Sequence, residues 1–240
     1  MNFDESQLSK DALIWVKKNS KIIIEKFANL NEFPRSEKPI TIFMAGSPGA
    51  GKTEFSESFD PDIYKFSEDQ ITKIVRIDAD KIRELIPQYE GHNSSEVQRA
   101  SSKGVDILFD YVQGKNQNVI LDGTFANFKI SEKNVRRALG RDRTVGIFYL
   151  YQEPKVAWNF TQQRELKEGR NISKTIFKEA YISAKENVNK VKEIYGGKVI
   201  LNLIIKNFEN KVAKYYINIK KVDDHLKTSY TIGQLDEMLK

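Results

Sequence analysis

Short apolar runs alternate along the chain with longer segments in which apolar residues recur every three or four positions. Short runs bounded by turn residues predict buried strands, and the wider spacing predicts amphipathic helices. The predicted strands are residues 40–45, 73–78, 118–121, 144–149, 198–205 and 214–220, the last two joined as a hairpin through residues 207–210. Strands that alternate with helices indicate an α/β fold with a mainly parallel sheet of about five strands, flanked by helices and extended by a C-terminal hairpin at its edge.

Helices are predicted before, between and after these strands. One amphipathic helix covers residues 8–30 and another residues 177–191, while the polar residues 165–173 between helices are typical of a mobile lid. The expected helix starts are Ser95-x-x-Gln98, Ser131, Pro154 and Thr231-x-x-Gln234. The chain is thus expected to comprise a helix and connector (1–38), a core (39–207) and a strand and helix packed on that core (208–240).

The first predicted strand leads directly into a glycine-rich loop. It matches the phosphate-loop (P-loop) pattern G-x-x-x-x-G-K-[ST] at every fixed position, with Gly46, Ser47, Pro48, Gly49, Ala50, Gly51, Lys52 and Thr53. Its glycines allow a tight turn whose backbone N–H groups point inward and surround phosphates. Lys52 is expected to contact the β- and γ-phosphates of a nucleotide, and Thr53 to offer its hydroxyl to Mg²⁺. Nucleotide binding is the first functional prediction.

Composition narrows the classes of function only in part. The chain has a net charge of +6, which favours an anionic partner such as a nucleotide, a nucleotide sugar or nucleic acid, although lysines on solvated helix faces give the same charge. The absence of cysteine excludes disulfides, thiol chemistry and cysteine zinc sites, and His92 and His225 are a poor metal pair. Without a signal sequence or a bilayer-length apolar run, we expect a soluble, cytoplasmic protein with no membrane partner.

Carboxylates follow two of the predicted strands, and arginines follow the fourth. Asp80 comes just after the second strand and Asp122 ends the third, at the sheet edge where α/β proteins bind ligands. Arg164 continues an inward-facing helix stripe, and Arg170 lies in the predicted lid. A carboxylate that accepts a hydroxyl proton, with cations that neutralise phosphoryl charge, indicates a small-substrate kinase. The GTPase N-K-x-D and the ABC-type LSGGQ motifs are absent.

These motifs together resemble those of the zeta toxin family, kinases of bacterial toxin–antitoxin systems. The resemblance covers residues 39–207 and rests on GSPGAGKT, IDADKIRELIP, VILDGT and YLYQEPKVAWNFTQQRE, followed by GRNIS. It implies a P-loop kinase-like fold and an ATP- or GTP-dependent, Mg²⁺-dependent transfer of phosphate to the 3′-hydroxyl of UDP-N-acetylglucosamine, whose product blocks cell-wall synthesis. It also implies an antitoxin protein as a partner, whereas a nucleic-acid partner is not favoured but stays open.

The resemblance assigns roles to individual residues. Lys52, Asp80, Arg164 and Arg170 correspond to the catalytic set, in which Asp80 resembles the base and the arginines stabilise phosphate. Asp106 and Asp122 stand where the family has glutamates that contact the substrate and end the third strand. The expected acceptor contacts are Asp106, Asp122 and Thr124, with Arg99 and Ser102, which lie on the same polar helix stripe as Asp106, and the expected metal contacts are Thr53 and Asp122.

Departures from the family pattern leave the acceptor open. Asp106 and Asp122 are each one methylene shorter than the family's glutamates, and substrate discrimination responds to polar groups at that scale. The alternatives are the same chemistry on a nucleoside, nucleotide, antibiotic or nucleic-acid hydroxyl, or a nucleotide-dependent regulatory binding protein. Simpler roles are also open: Asp78, or even Asp80, could cap the next helix, Asp122 could serve a turn, and Asp106 could be a solvated helix acid.

Overall fold

The computed structural model describes residues 6–59, 73–168 and 172–239. Within these residues a sheet of six strands has the order β2-β3-β1-β4-β5-β6. Its strands are β1 Ile40–Ala45, β2 Val75–Ile77, β3 Val119–Leu121, β4 Thr144–Tyr151, β5 Val199–Lys206 and β6 Val212–Tyr216. Neighbouring strands from β2 to β5 are parallel, and β6 pairs antiparallel with β5. The predicted α/β fold with a hairpin at the sheet edge is confirmed.

Helices cover both faces of this sheet. They are α1 Gln7–Lys18, α2 Ser20–Ala28, α3 Lys52–Glu57, α4 Ala79–Arg83, α5 Gln98–Gly114, α6 Phe128–Leu139, α7 Pro154–Glu168, α8 Lys174–Tyr195 and α9 Ile232–Met238. The central strand β1 shows why both faces are covered. Ile42 and Met44 pack in one apolar cluster with Phe55 of α3, whereas Phe43 and Ala45 belong to the cluster on the other face. A strand that is apolar on both sides is stable only when both sides are buried.

The N-terminal segment differs from the prediction of one helix. Residues 8–30 form α1 and α2, which meet at Asn19, where the backbone and side-chain amides both donate to Trp15 O. An asparagine that bonds the preceding turn competes with continuation of the helix. Both helices pack against α5. At the other end of the chain, the predicted capping box of Thr231 and Gln234 is confirmed at α9, which contacts α7 and α8.

Two predicted helix starts were wrong. Ser95 does not cap α5, which begins after Val97, and the side chain of Gln98 accepts a hydrogen bond from Arg83 instead of reaching back to the backbone. Ser131 does not cap α6, because Asn127, an equally good cap, begins that helix one turn earlier.

The predicted lid was also partly wrong. Residues 165–168 form the last turn of α7, so this part of the segment is helical. Residues 169–171, including Arg170, lie outside the described residues. Within the described part of the chain, no helix combines the length and the apolar character needed to cross a bilayer.

A buried arginine holds the strands together at the end of the sheet where β1 and β4 begin. Arg143, 3% exposed, donates to Thr41 Oγ1 at 2.6 Å, to Ile40 O at 2.7 Å and also to Gln117 O. Burial, together with the nearby charge of Arg141, lowers the pKa of Arg143 to about 10, which leaves it charged at neutral pH. One cation therefore satisfies acceptors from two separate segments of the sheet.

We expect Arg143→Met to lower the free energy of unfolding by about 3 kcal/mol, because it leaves buried acceptors without a donor. Arg141→Met, which removes the exposed arginine two residues earlier, should change stability by no more than about 0.5 kcal/mol. Urea unfolding of both variants measures the difference. Equal stability of the two variants would show that Arg143 does not hold the strands together.

Candidate active site

The parallel register brings the acidic residues to the P-loop. Ile77 of β2 pairs with Leu121 of β3, so Asp78 and Asp122 follow side by side at the same edge of the sheet. Leu121 also pairs with Phe43 of β1, the strand that leads into the P-loop. The backbone joins these segments further, because Gly46 N donates to Thr124 O at 3.1 Å. The chain segments that carry the predicted motifs therefore meet in space.

Two glycines let the P-loop lie directly against neighbouring backbone. Gly46 has φ +137° and Gly49 has φ +71°, both rare for residues with a side chain. A Cβ at Gly46 would lie 2.4 Å from Leu150 O, and a Cβ at Gly49 would lie 2.0 Å from Ala157 O of α7. Both positions therefore require glycine for packing, apart from any role in phosphate binding.

A cleft of about 800 Å³ opens beside the P-loop. Of the predicted site residues it brings together Pro48, Gly49, Lys52, Thr53, Asp80, Asp122, Thr124 and Arg164. The rest of its described lining is Asp78, Ala79, Arg83, Gln98, Gly123, Thr161 and Ile172. Carboxylates, hydroxyls and cations thus converge on one space next to the loop.

The two predicted cations of the cleft contact the P-loop and the helix α3 that follows it. Lys52 Nζ donates to Ser47 O at 2.6 Å, within the loop itself. Arg164 Nη2 lies 3.9 Å from Glu54 Oε1 on α3, a loose and partly exposed ion pair. An exposed pair at this distance contributes little energy, so Arg164 can move toward an anion at low cost.

Asp78 and Asp80 have different environments. Asp78 is the N-cap of α4, and its Oδ1 accepts from Asp80 N at 2.8 Å, which confirms the expected capping role. The carboxylate of Asp80 instead pairs with Arg83, whose Nη1 lies 2.5 Å from Asp80 Oδ1. Sequence reasoning missed Arg83, although its position three residues after Asp80 on a predicted helix was a usable signal.

The expected metal contacts, Thr53 and Asp122, line the same cleft. Ser56 Oγ lies 3.5 Å from Asp122 Oδ2, and its hydroxyl donates to Thr53 O at 3.0 Å and accepts a hydrogen bond from Arg76 at 2.7 Å. Among the described residues, no cluster of three or more His, Cys, Asp or Glu side chains could hold a metal alone. The two oxygen donors of Thr53 and Asp122 are suited to Mg²⁺, because this ion takes its remaining ligands from phosphates and water.

The predicted acceptor residues on α5 lie outside the cleft. Arg99, Ser102 and Asp106 are exposed, and only Gln98, the first residue of α5, reaches the lining. The helical rise places Asp106 about 12 Å beyond Gln98 along the helix axis. Gln98 Nε2 does donate to Ser102 Oγ at 3.2 Å, so the polar stripe of α5 that carries these three residues begins at the cleft. The acceptor roles of these three residues stay predictions, as does the role of Arg170.

A second cleft, of about 880 Å³, shares Gly49, Lys52, Thr53 and Arg164 with the first. Its other described lining residues are Gly51, Glu54, Phe160, Gln163 and Asn210. Phe160 presents an aromatic ring there, and Asn210 reaches in from the loop between β5 and β6. Sequence reasoning did not predict this cleft, because its residues come from three distant segments.

Comparison with known families settles the relationship of the chain. The model of the family described as Zeta toxin matches residues 24–220. The chain belongs to the zeta toxin family. With its P-loop kinase-like fold, this zeta toxin is a kinase-like toxin and a phosphotransferase. A search of curated proteins finds no significant match.

Solved structures show the same fold at low sequence identity. One, from the PezAT chromosomal toxin–antitoxin system of Streptococcus pneumoniae, has a TM-score of 0.66 and 17% identity, over 97% of this zeta toxin and 95% of that chain. Another, an AvrRxo1-ORF1:-ORF2 structure with ATP, has a TM-score of 0.58 and 12% identity, over 88% of this chain and 65% of that one. This zeta toxin therefore spans less than two thirds of the second chain.

We expect Gly49→Ala to weaken binding of a non-hydrolysable ATP analogue at least about tenfold. The left-handed backbone costs a side chain about 1–2 kcal/mol, and the added Cβ would collide with Ala157 O. Gly114→Ala is the control, because nothing lies within 4 Å of a Cβ at that position. Calorimetric titration of both variants measures the affinity. An unchanged affinity for Gly49→Ala would mean that the loop does not need its close contact with α7.

Proposed function

We propose that this zeta toxin transfers the γ-phosphate of ATP or GTP to a sugar hydroxyl of UDP-N-acetylglucosamine or a related nucleotide sugar, and so inhibits cell-wall synthesis. One observation carries the proposal: Asp80 lines the same cleft as Lys52 and Thr53 of the P-loop. A protein that only binds or slowly hydrolyses a nucleotide needs no such carboxylate for a second substrate. The regulatory binding protein is therefore the weaker alternative.

The phosphate donor would bind on the P-loop. In this proposal the loop amides and Lys52 hold the triphosphate, and Thr53 and Asp122 hold Mg²⁺, which would neutralise charge on the phosphate oxygens. The second cleft offers space for the nucleoside end of the donor, with the Phe160 ring as a stacking surface. Its four residues in common with the first cleft support one continuous site for donor and acceptor.

The transfer step needs a proton acceptor and neutralising cations. The sugar hydroxyl would give its proton to Asp80 while its oxygen bonds to the γ-phosphorus and the bond to the leaving nucleoside diphosphate breaks. Arg164, held only loosely by Glu54, is suited to neutralise the transferring group. Arg170 joins it in this proposal on the strength of the family resemblance alone.

The proposed acceptor class is supported by charge and by the polar stripe on α5. The net charge of +6 suits a diphosphate-bearing acceptor, and the stripe that starts at Gln98 continues through Ser102 toward Asp106. An extended nucleotide sugar could bridge the cleft and this stripe. The competing candidate is another hydroxyl compound, because Asp106 and Asp122 are shorter than the family's glutamates.

An antitoxin partner belongs to the same proposal. The similar structure from Streptococcus pneumoniae comes from a toxin–antitoxin system, and the AvrRxo1 structure contains two components, ORF1 and ORF2. We propose by analogy that a protein partner restrains this zeta toxin in the cytoplasm.

We expect Lys52→Ala to lower phosphotransfer at least about 100-fold, because the cation that contacts the transferring phosphate is lost. Transfer of label from γ-labelled ATP, measured on samples matched for folded protein, tests this. Lys133→Ala, which removes an exposed lysine on α6, should leave the rate unchanged within about twofold. Wild-type turnover by Lys52→Ala would refute the kinase assignment of the loop.

We expect UDP-N-acetylglucosamine to be labelled in a screen against nucleotide sugars, nucleosides, nucleotides and short RNA. Asp106→Asn should lower kcat/KM for the sugar about tenfold with unchanged binding of an ATP analogue, since the hydrogen bonds proposed from the sugar hydroxyls to its carboxylate would be weakened. Asp110→Asn, one turn further along α5, is the control. Strong labelling of another acceptor, with none of any UDP-sugar, would retain the kinase and reject the nucleotide-sugar substrate.

A further inference from the structure

Arg83 is a buried cation in the wall of the first cleft. Its side chain is 5% exposed and lies between α4 and α5. One terminal nitrogen donates to Asp80 Oδ1 at 2.5 Å, and the other donates to Gln98 Oε1 at 2.7 Å. The guanidinium also lies over the ring of Tyr89, with its carbon 5.9 Å from the ring centroid.

Stability alone does not explain this burial. Removing a guanidinium from water is expensive, and a well-packed apolar side chain often gives equal or greater stability at such a position. Arg83 Nε is buried and has no hydrogen-bond partner among the described residues, so the desolvation is not fully compensated. An arginine retained under these conditions, in the wall of a catalytic cleft, indicates a role in the chemistry.

The contacts of Arg83 complete a double restraint on Asp80. The backbone amide of Asp80 donates to the capping carboxylate of Asp78, and its side chain is held by Arg83. The backbone of Asp80 is thus held by Asp78, and its carboxylate is held by Arg83. Such restraint matters for a base, because a displacement of about 1 Å can lower a rate about 100-fold.

The second contact of Arg83 extends this restraint to α5. Gln98 accepts from Arg83 and donates to Ser102 Oγ, so a hydrogen-bonded chain runs from Asp80 to the polar stripe of α5. Arginine suits this junction, since its planar fork can bond two acceptors at once, whereas lysine offers a single point charge. The position of Asp80 is therefore set relative to the helix that carries the proposed acceptor contacts.

We propose that Arg83 is a positioning residue for the phosphotransfer: it holds the carboxylate of Asp80 in line with the acceptor hydroxyl and couples it, through Gln98, to α5. This inference rests on the proposed function, because it assigns Asp80 as the base. Arg83 acts on the rate through Asp80 and does not itself contact the transferring group.

A double-mutant cycle tests whether Arg83 acts through Asp80. We expect Arg83→Met to lower kcat about 100-fold in the otherwise wild-type protein, with KM for the nucleotide changed less than about twofold. In an Asp80→Asn background, Arg83→Met should lower kcat less than about twofold, because the carboxylate that Arg83 positions is no longer present. Transfer of labelled phosphate to the best acceptor, followed over a range of nucleotide concentrations, measures kcat and the nucleotide KM in both backgrounds.

A conservative variant of Arg83 supplies a second readout in the protein that keeps Asp80. Arg83→Lys keeps the charge beside Asp80 but cannot bond both partners in the same geometry, so kcat should recover to within about tenfold of wild type. Arg137→Met, which removes a partly buried arginine paired with Asp110 outside the cleft, is the control and should leave kcat unchanged. Thermal unfolding verifies that the compared samples are folded.

Defined outcomes would overturn the inference. If Arg83→Met retains wild-type kcat, or costs the same factor with and without Asp80, Arg83 does not act through the base. A selective rise in the acceptor KM would instead make Arg83 a substrate contact. If Asp80→Asn is fully active, or if the wild-type protein transfers phosphate to no acceptor, the proposed function fails together with the inference. If only the Arg83 variants depart from expectation, the inference fails and the proposed function stands.

Discussion

The chemistry of this zeta toxin depends on the parallel register of β1, β2 and β3. The pairing of Ile77 with Leu121 sets Asp78 and Asp122 next to each other, and the pairing of Leu121 with Phe43 brings them to the strand that leads into the P-loop. A register shift of one residue would turn these side chains to the opposite face. Because β1 is apolar on both faces and buried on both, such a shift would also disturb the core.

Arginines stabilise the two ends of the sheet in different ways. Where β1 and β4 begin, Arg143 binds backbone carbonyls and a threonine hydroxyl, so its effect is on stability. Where the strands end, Arg76 donates to Ser56 beside Asp122, and Arg83 binds Asp80. Arg83 thus contacts a carboxylate of the cleft directly, whereas Arg76 reaches Ser56 and not Asp122 itself. The basic composition therefore includes structural cations as well as candidates for binding anions.

Local sequence signals predicted the parts of the molecule that local physics determines. The apolar runs predicted the strands of the described residues, although the last was expected at residues 214–220 and lies at Val212–Tyr216, and the phosphate-loop pattern predicted a glycine-rich turn at the end of β1, because both depend on neighbouring residues. Arg83 was missed although its pairing with Asp80, three residues earlier, is local, whereas Gln98 and the second cleft were missed because their contacts join segments distant in sequence. The wrong cap at Ser95 has the same origin: the side chain of Gln98 is engaged by Arg83, and tertiary contact overrides the local signal.

The close approach of the P-loop to its neighbours changes how its motif would be inherited. Gly46 and Gly49 are required by Leu150 O and Ala157 O whether or not a nucleotide binds. A descendant of this toxin that had lost catalysis would still be selected to keep both glycines, as long as it had to fold. Lys52 is held in the loop by a hydrogen bond to Ser47 O and not by a steric requirement of this kind, so decay of an inactive copy should be visible first at the lysine. Intact glycines alone would then mark ancestry and not activity.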